Sequence, residues 1–338
     1  MGYYGKMLML ILLGLFIITG CSSQSSGENG EGMVFKLGHV GPAETSHPWE
    51  KYALEFAKQV NEKTDGQVTI ETYPASQLGA DRVMTESLQQ GTLEMGLIST
   101  IAMGNFVPEL QLWDLPYIFP NDNAIVDEIL EGPIGEKLAA AAEEKGLVII
   151  GYWENDWRAM TNSQRPIESI DDLEGLKMRV VENQPSLDWF GRVGAIPTPM
   201  AFSELYTSLQ QGTVDGQDNG AILSYGSKLY EAQEYFTVTK HMYAPLAVVV
   251  NAATWDKLSE DVQQTMKELA VSLGREQREY SRQTAQDYIE DIKAAGLEVN
   301  ELTEEARKEF EDSALATYEE LAPSIGQDLI DQMLEYRD

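Results

Sequence analysis

The nine residues ESLQQGTLE at positions 86–94 return as TSLQQGTVD at positions 207–215, with the six-residue core SLQQGT unchanged. Each copy predicts a helix that ends at a glycine, Gly91 or Gly212, and then turns tightly into a buried strand. Because the two copies stand 121 residues apart, the repeat predicts two lobes of similar build.

The sequence on both sides of these copies alternates strand and helix patterns. Around the first copy, strands are predicted at 34–38, 68–73 and 93–99, and helices from Pro48 up to Gly66 and at 81–90. Farther along, strands are predicted at 147–153, 176–181, 214–217 and 247–251, and helices at 186–193 and 203–211. This order predicts the α/β class, with largely parallel sheets covered by helices. Ligands bind beyond the carboxyl ends of strands in such sheets, so Ser99 and residues 217–219 are predicted to face a shared cleft.

The last third of the chain has a helical pattern of unusual length. Residues 259–295 contain no proline, and only Gly274 interrupts the apolar spacing. A helix of that length would measure about 50 Å, which is longer than one lobe, so it is predicted to span both. The alternative is two helices broken at Gly274. A short strand at Glu298 and helices at 304–321 and 324–336 are predicted to follow.

The composition excludes one large class of function. The chain of 338 residues has 55 acidic against 24 basic side chains, a formal net charge of −31. A nucleic-acid-binding protein needs a basic face to displace counterions from phosphates. At 43% hydrophobic residues the chain can form a core, so its acidity belongs to the surface of a folded protein.

The N-terminus resembles a bacterial lipoprotein signal. Lys6 precedes an apolar run at 7–18 that is too short to span a bilayer comfortably, and Cys21 is the only cysteine of the chain. We expect a signal peptide at 1–20, a lipid on Cys21 and a flexible tether at 21–32. The protein would then be exported and held on the outer face of the cytoplasmic membrane or in the periplasm, with the lipid as its only membrane contact. The alternative is a plain secretory signal with an incidental cysteine.

Motifs of catalysis are absent from the sequence. The three histidines have no metal-ligand spacing, and no nucleophile elbow, Walker loop or zinc-protease motif occurs. The run DGQDNG at 215–220 resembles the start of a calcium loop, but its twelfth position is Gly226 where a glutamate is required. We therefore predict no metal, no cofactor and no enzymatic activity. An enzyme acting on acidic sugars, with Asp81 and Glu44 as the acid and base, is the alternative.

Two arginines stand out in this acidic chain. Arg158 follows a predicted strand and Arg179 lies within one, where a charged side chain needs a partner. A guanidinium group can hold a planar carboxylate through two parallel hydrogen bonds. Structural ion pairs with acidic residues of the chain are the alternative for both arginines.

Several longer motifs identify a family. They are IPTPMAFSELY at 196–206, LQQGTVDGQDN at 209–219, SQLGADR at 76–82, MTNSQRPI at 160–167 and DLEGLKMRV at 172–180. Taken in chain order, in which they cover essentially the whole mature chain, these motifs resemble the solute-binding proteins of TRAP transporters, of the dicarboxylate-binding DctP type. The resemblance implies a periplasmic-binding-protein-like fold of type II, with mainly parallel sheets, crossing hinge strands and a long helix spanning both lobes. Lobe 1 would comprise 33–152 plus about 244–280, and lobe 2 would comprise 153–243 plus about 281–338.

The resemblance also implies roles for individual residues. Arg179 matches the arginine that pairs with the substrate carboxylate, Arg158 the second arginine and Asn219 the amide beside them. Phe202 matches an aromatic that stacks on the ligand, and Asp81 and Ser99 match residues at its distal, hydroxylated end. The remaining predicted ligand contacts are Trp157, Tyr243 and Glu44.

The function implied is that of an extracytoplasmic solute-binding subunit. It would capture a small organic acid by lobe closure and deliver it to the integral-membrane TRAP subunits, which form a symporter. The acid would be a uronate or another sugar acid, or a dicarboxylate. A binding protein of an ATP-driven importer and a sensor partner for organic acids are the alternatives.

Overall fold

The structure is a computed structural model of the chain and describes residues 32–337. The predicted signal peptide at 1–20, the predicted lipidation site Cys21 and nearly all of the predicted tether lie outside the described residues. Within 32–337, no helix combines the length and the apolar character needed to cross a bilayer.

Eleven strands are described in residues 32–337. In chain order they are β1 (Met33–Gly38), β2 (Val68–Tyr73), β3 (Met95–Ser99), β4 (Leu147–Trp157), β5 (Met160–Asn162), β6 (Lys177–Val180), β7 (Ile196–Pro199), β8 (Gly216–Gln217), β9 (Tyr235–Val238), β10 (Tyr243–Asn251) and β11 (Glu298–Glu301).

Helices alternate with these strands along the described chain. They are α1 (Pro48–Lys63), α2 (Asp81–Gln90), α3 (Thr100–Met103), α4 (Asn123–Glu131), α5 (Pro133–Glu143), α6 (Gln184–Arg192), α7 (Phe202–Gln210), α8 (Ala221–Gly226), α9 (Ala252–Trp255), α10 (Glu260–Ala294), α11 (Glu304–Ile325) and α12 (Gln327–Leu334). Short 3-10 helices lie at Pro108–Asp114, Ile170–Leu173 and Leu229–Ala232.

The strands form two mixed sheets, and the α/β class is confirmed. The first sheet has the order β2-β1-β3-β10-β4 and the second the order β11-β9-β5-β8-β6-β7. Five of the nine strand pairings are parallel, and the antiparallel ones all involve β10 or β5. Parallel pairings therefore outnumber antiparallel ones by one, in agreement with the prediction of mainly parallel sheets.

The chain crosses between the sheets at adjacent points. It leaves the first sheet at the end of β4 and enters β5 of the second sheet, and it returns from β9 into β10. The first residue of β10, Tyr243, pairs with the last residue of β4, Trp157. The two strands therefore run antiparallel, and they pair along nearly their whole length. The predicted lobe boundaries near 152 and 243 lie within or beside these strands and stay a prediction.

The helix α10 is continuous over 35 residues, so it is about 50 Å long and the alternative of two helices is wrong. Ser259 caps it, and Glu260 and Asp261 lie in its first turn, where negative charge is favourable. It packs on α1 and on β4 of the first sheet, and farther along on α8, where Tyr288 lies against Tyr225. Gly274 permits a close approach, because a Cβ there would lie 2.8 Å from the Trp153 side chain.

Candidate ligand-binding site

A cavity lies between the two sheets and brings six of the nine predicted ligand contacts together. Its volume is about 540 Å³ with its open mouth included. The first-sheet side contributes Asp81 at the start of α2 and Ser99 at the end of β3; the crossing after β4 and the second-sheet side contribute Arg158, Arg179, Phe202 and Asn219. The internal repeat explains part of this arrangement. The first copy leads into β3, which ends at Ser99, and the second leads into β8, which ends two residues before Asn219; both residues line the cavity.

Arg179 is a buried cation with one free nitrogen. Its position in β6 leaves it only 2% exposed, and Nε and Nη2 donate to the carbonyl oxygen of Met200 at 3.0 and 2.7 Å. Its Nη1 is buried and has no hydrogen-bond partner within the described chain. Burial lowers the pKa of Arg179 to about 10, so the side chain stays charged at neutral pH. The backbone contact fixes the guanidinium group and leaves Nη1 for a ligand.

Arg158 is held by an acidic residue of the chain. Its Nε and Nη2 donate to the Asp218 carboxylate at 3.0 and 2.6 Å, and both side chains are buried. Burial alone would raise the pKa of Asp218, but Arg158 and His241 together outweigh it and hold that pKa well below its usual range. The alternative of a structural ion pair therefore applies to Arg158, although this residue also lines the cavity.

Asn219 is oriented by its neighbour Gln217. The backbone N–H and the side-chain Nδ2 of Asn219 both donate to Gln217 Oε1 at 2.6 Å. Gln217 in turn donates to Thr161 Oγ1 at 2.9 Å and to Ser224 Oγ at 3.1 Å. This chain of buried hydrogen bonds fixes the Asn219 amide at the cavity wall.

The first-sheet wall carries a carboxylate and two unpartnered polar groups. Asp81 accepts a hydrogen bond from the Ser99 backbone at 3.1 Å, and burial raises the pKa of Asp81 to about 6. The hydrogen bond from Ser99 and the charge of Arg179 work in the opposite direction. Ser99 Oγ and Trp49 Nε1 are buried and have no hydrogen-bond partner in the described part of the chain.

Some lining residues escaped the sequence analysis. Trp49, Asn105, Asn155 and Glu182 line the cavity. Asn105 Nδ2 donates to the backbone oxygen of Glu182 and so joins the loop after α3 to the end of β6. Trp49 lies on the buried face of α1 with Ala53, Phe56 and Val60, and no sequence signal separates an indole of the core from one that borders a ligand.

Three predicted contacts lie elsewhere in the structure. Trp157 lines a second cavity beside α10, and its Nε1 donates to Asn123 Oδ1 at 3.0 Å. Tyr243 is buried in β10, where its hydroxyl donates to Glu154 at 3.2 Å. Glu44 is exposed and lines a surface groove that shares Phe202 with the main cavity. Contact of these three residues with a ligand stays a prediction.

The donor set of the cavity suits an organic anion. Among residues 32–337, no group of three or more histidine, aspartate or glutamate side chains is placed to hold a metal ion. The cavity instead presents a buried arginine nitrogen, a fixed amide and a wall with a carboxylate and hydroxyl. These groups can bind a carboxylate and hydrogen-bond to other polar groups of the same molecule.

Comparison with known proteins agrees with this arrangement. The family described as bacterial extracellular solute-binding protein, family 7 (DctP), matches residues 37–324. The chain is 35% identical over 261 residues to the 2,3-diketo-L-gulonate-binding periplasmic protein YiaO of Escherichia coli, covering 77% of this chain and 79% of that protein. It is 33% identical over 308 residues to the C4-dicarboxylate-binding periplasmic protein DctP of Rhodobacter capsulatus, covering 89% and 90%.

A solved structure shows the same fold. The crystal structure of the sugar acid binding protein DctPAm from Advenella mimigardefordensis, in complex with galactonate, has a TM-score of 0.87 and 32% sequence identity to this chain. The match covers 91% of this chain and 98% of that one. The resemblance to TRAP solute-binding proteins of the DctP type is thereby confirmed. The chain belongs to family 7 of the bacterial extracellular solute-binding proteins, a family that acts outside the cytoplasm.

Proposed function

We propose that this chain captures a small organic acid in the cavity between the two sheets, with the ligand's carboxylate on Arg179. The observation that carries the proposal is the free Nη1 of Arg179, a buried cationic donor at the cavity wall. A buried donor without a partner costs about 1–3 kcal/mol, and a carboxylate would restore its hydrogen bond. The Asn219 amide lines the same cavity.

Binding would close two lobes around the acid. In this proposal the lobes have the boundaries predicted from the sequence, and β4, β10 and α10 connect them. A ligand held by Arg179 on one side and by Asp81 and Ser99 on the other gains most of its contacts only when the sides meet. It therefore shifts the equilibrium towards the closed form by its differential affinity for that form.

The class of acid follows from the relatives and from the wall of the cavity. Proteins similar to this chain bind 2,3-diketo-L-gulonate, galactonate or C4-dicarboxylates. The polar first-sheet wall favours a sugar acid among these. The protein would deliver the acid to the integral-membrane subunits of a TRAP transporter and would not transform it, and Cys21 would carry the lipid that holds it at the membrane.

A thermal-shift panel of sugar acids and dicarboxylates tests this proposal. A ligand that binds only the folded protein raises its melting temperature, by an amount that grows with ligand concentration over Kd. We expect at least one acid to stabilise the wild type and none to stabilise Arg179→Gln.

The matched control is Arg165→Gln. Arg165 also donates to backbone carbonyls, those of Asp172 and Glu174 at 2.9 and 2.7 Å, but it does not line the cavity. This variant should lose some stability and keep the full ligand-induced shift. Equal shifts in Arg179→Gln and the wild type would contradict the proposal.

A further inference from the structure

Three of the buried polar atoms that lack a partner in residues 32–337 belong to residues that line the main cavity. They are Arg179 Nη1, Ser99 Oγ and Trp49 Nε1. The arginine is assigned to the ligand's carboxylate, but the other two lie on the first-sheet side, beside Asp81. Trp49 is fully buried and Ser99 is 7% exposed, so water does not easily replace a ligand partner.

The chemistry of these groups fits a hydroxyl. An indole N–H only donates, an ionised carboxylate only accepts, and a serine hydroxyl does both. A ligand hydroxyl has both the proton that Asp81 can accept and the lone pair that Trp49 can donate to. A carboxylate in the same place has no proton for Asp81 and would set a second anion beside the Asp81 carboxylate.

The cavity offers no free buried cation on this side for a second carboxylate. Its lining arginines are Arg82, Arg158 and Arg179. Arg158 is engaged by Asp218, and Arg179 belongs to the second sheet. The Arg82 side chain is 50% exposed and lies 3.5 Å from Glu86, so water and that glutamate already screen its charge.

The family resemblance already implies that Asp81 and Ser99 meet the distal, hydroxylated end of the ligand. We propose that Trp49 supplies the hydrogen-bond donor of this hydroxyl-binding subsite, and that Asp81 excludes ligands with a second carboxylate there. The ligand is then a polyhydroxy monocarboxylic acid, and dicarboxylates and aldaric acids are rejected. The inference rests on the proposed function, because it takes Arg179 as the site of the first carboxylate.

Matched pairs of acids test the inference by calorimetry. Galactonate and galactarate, gluconate and glucarate, and erythronate and meso-tartrate differ only in whether the far end is a hydroxymethyl group or a carboxylate. At pH 8, above the pKa of about 6 of Asp81, the subsite carboxylate is ionised. We expect the wild type to bind the monocarboxylate of its preferred pair at least about 100-fold more tightly.

The variant Asp81→Asn removes the charge and keeps an oxygen that can accept the hydrogen bond from the Ser99 backbone. We expect its preference for the monocarboxylate to fall by at least about tenfold, because an amide can donate to a carboxylate. An unchanged preference in a folded Asp81→Asn variant would overturn the role of Asp81.

The variant Trp49→Phe tests the donor of the subsite. It keeps an aromatic ring and removes the N–H, so monocarboxylate affinity should fall by about tenfold. Trp113→Phe is the control, because Trp113 is equally buried and does not line the cavity. The melting temperature of this variant shows how much stability is lost when a buried indole is replaced by a phenyl ring. Its affinity for the monocarboxylate should equal that of the wild type. An equal loss of affinity in both variants would overturn the role of Trp49.

Failure of the inference and failure of the proposed function give different results. Equal wild-type affinity for both members of a pair, with both lost in Arg179→Gln, overturns the inference and leaves the proposed function standing. If the wild type binds no acid from any pair, the inference is overturned. If, in addition, no acid of the wider thermal-shift panel raises its melting temperature, the proposed function is overturned as well. Tight binding of a monocarboxylate alone, lost in Arg179→Gln, supports both.

Discussion

At the scale of single residues, the protein buries charges that it must pair or neutralise. Arg158 and Asp218 solve this by pairing with each other, and Arg179 by donating to a backbone carbonyl. Asp114 has only a partial solution: Oδ2 accepts from Asn183 at 3.0 Å, while Oδ1 is buried without a partner in the described chain. Such residues make the stability of the protein depend on pH.

We expect Asp114→Asn to flatten that dependence. Burial raises the pKa of Asp114 from 3.8 to about 7, against the hydrogen bond from Asn183 and the charge of Arg158. The folded state thus holds the proton more tightly than the unfolded state, so this contribution to stability is full below pH 3.8 and is lost as the pH rises through about 7. Between these values the loss approaches about 1.4 kcal/mol for each pH unit.

Urea denaturation at pH 5 and pH 8 measures this effect. The stability of Asp114→Asn relative to the wild type should increase from the lower to the higher pH. Because the other titrating groups are common to both proteins, the difference isolates Asp114. A difference that stays constant between the two pH values would show that Asp114 titrates normally.

At the scale of elements, the sequence signals were strong where an element is long or glycine-capped. The helix at 81–90 and the strand at 68–73 were predicted with the bounds that the structure has. The strand β7 was missed because it contains Pro197 and Pro199, which argue against a strand; it lies at a sheet edge, where proline is tolerated. The strand β5 was missed because it has three residues, too few for any periodicity, whereas β8 has two residues and lies at the end of the strand predicted at 214–217.

The glycine of α10 provides a test of element packing. In an exposed helix, replacing glycine by alanine stabilises by up to about 1 kcal/mol. In Gly274→Ala the new Cβ would lie 2.8 Å from Trp153 Cδ1 and 3.1 Å from the Tyr152 carbonyl oxygen, so we expect a net loss of stability.

Gly191→Ala is the matched control within α6. A Cβ at Gly191 meets no atom within 4 Å, so this variant should gain stability or stay unchanged. Thermal denaturation of both variants decides the point. A gain in Gly274→Ala equal to that in Gly191→Ala would mean that α10 does not lie against β4 as closely as the structure shows.

At the scale of the whole molecule, the site could be predicted only in part. The family motifs pointed to Arg179, Asn219 and Asp81, and the structure places all three around one cavity. The binding of Arg158 by Asp218 was foreseen as an alternative only, because spacing along a chain does not show which buried acid an arginine meets. Trp49 lies far from the other residues in sequence, and only the three-dimensional packing brings it to the cavity.

The proposed lipid on Cys21 can be tested by metabolic labelling. When the full chain is expressed in a bacterium supplied with radiolabelled palmitate, the wild type should incorporate label and Cys21→Ser should not, since Cys21 is the only cysteine. Arg179→Gln is the control and should be labelled like the wild type. An unlabelled, exported wild type would favour the plain secretory signal.

The central claim is that Arg179 binds the carboxylate of a hydroxylated acid inside the cavity. A crystal structure of the protein with its tightest-binding sugar acid tests it most directly. We expect a carboxylate oxygen within hydrogen-bond distance of Arg179 Nη1 and a ligand hydroxyl near Asp81 and Trp49. A carboxylate bound elsewhere, with Arg179 Nη1 still unpartnered, would contradict the account.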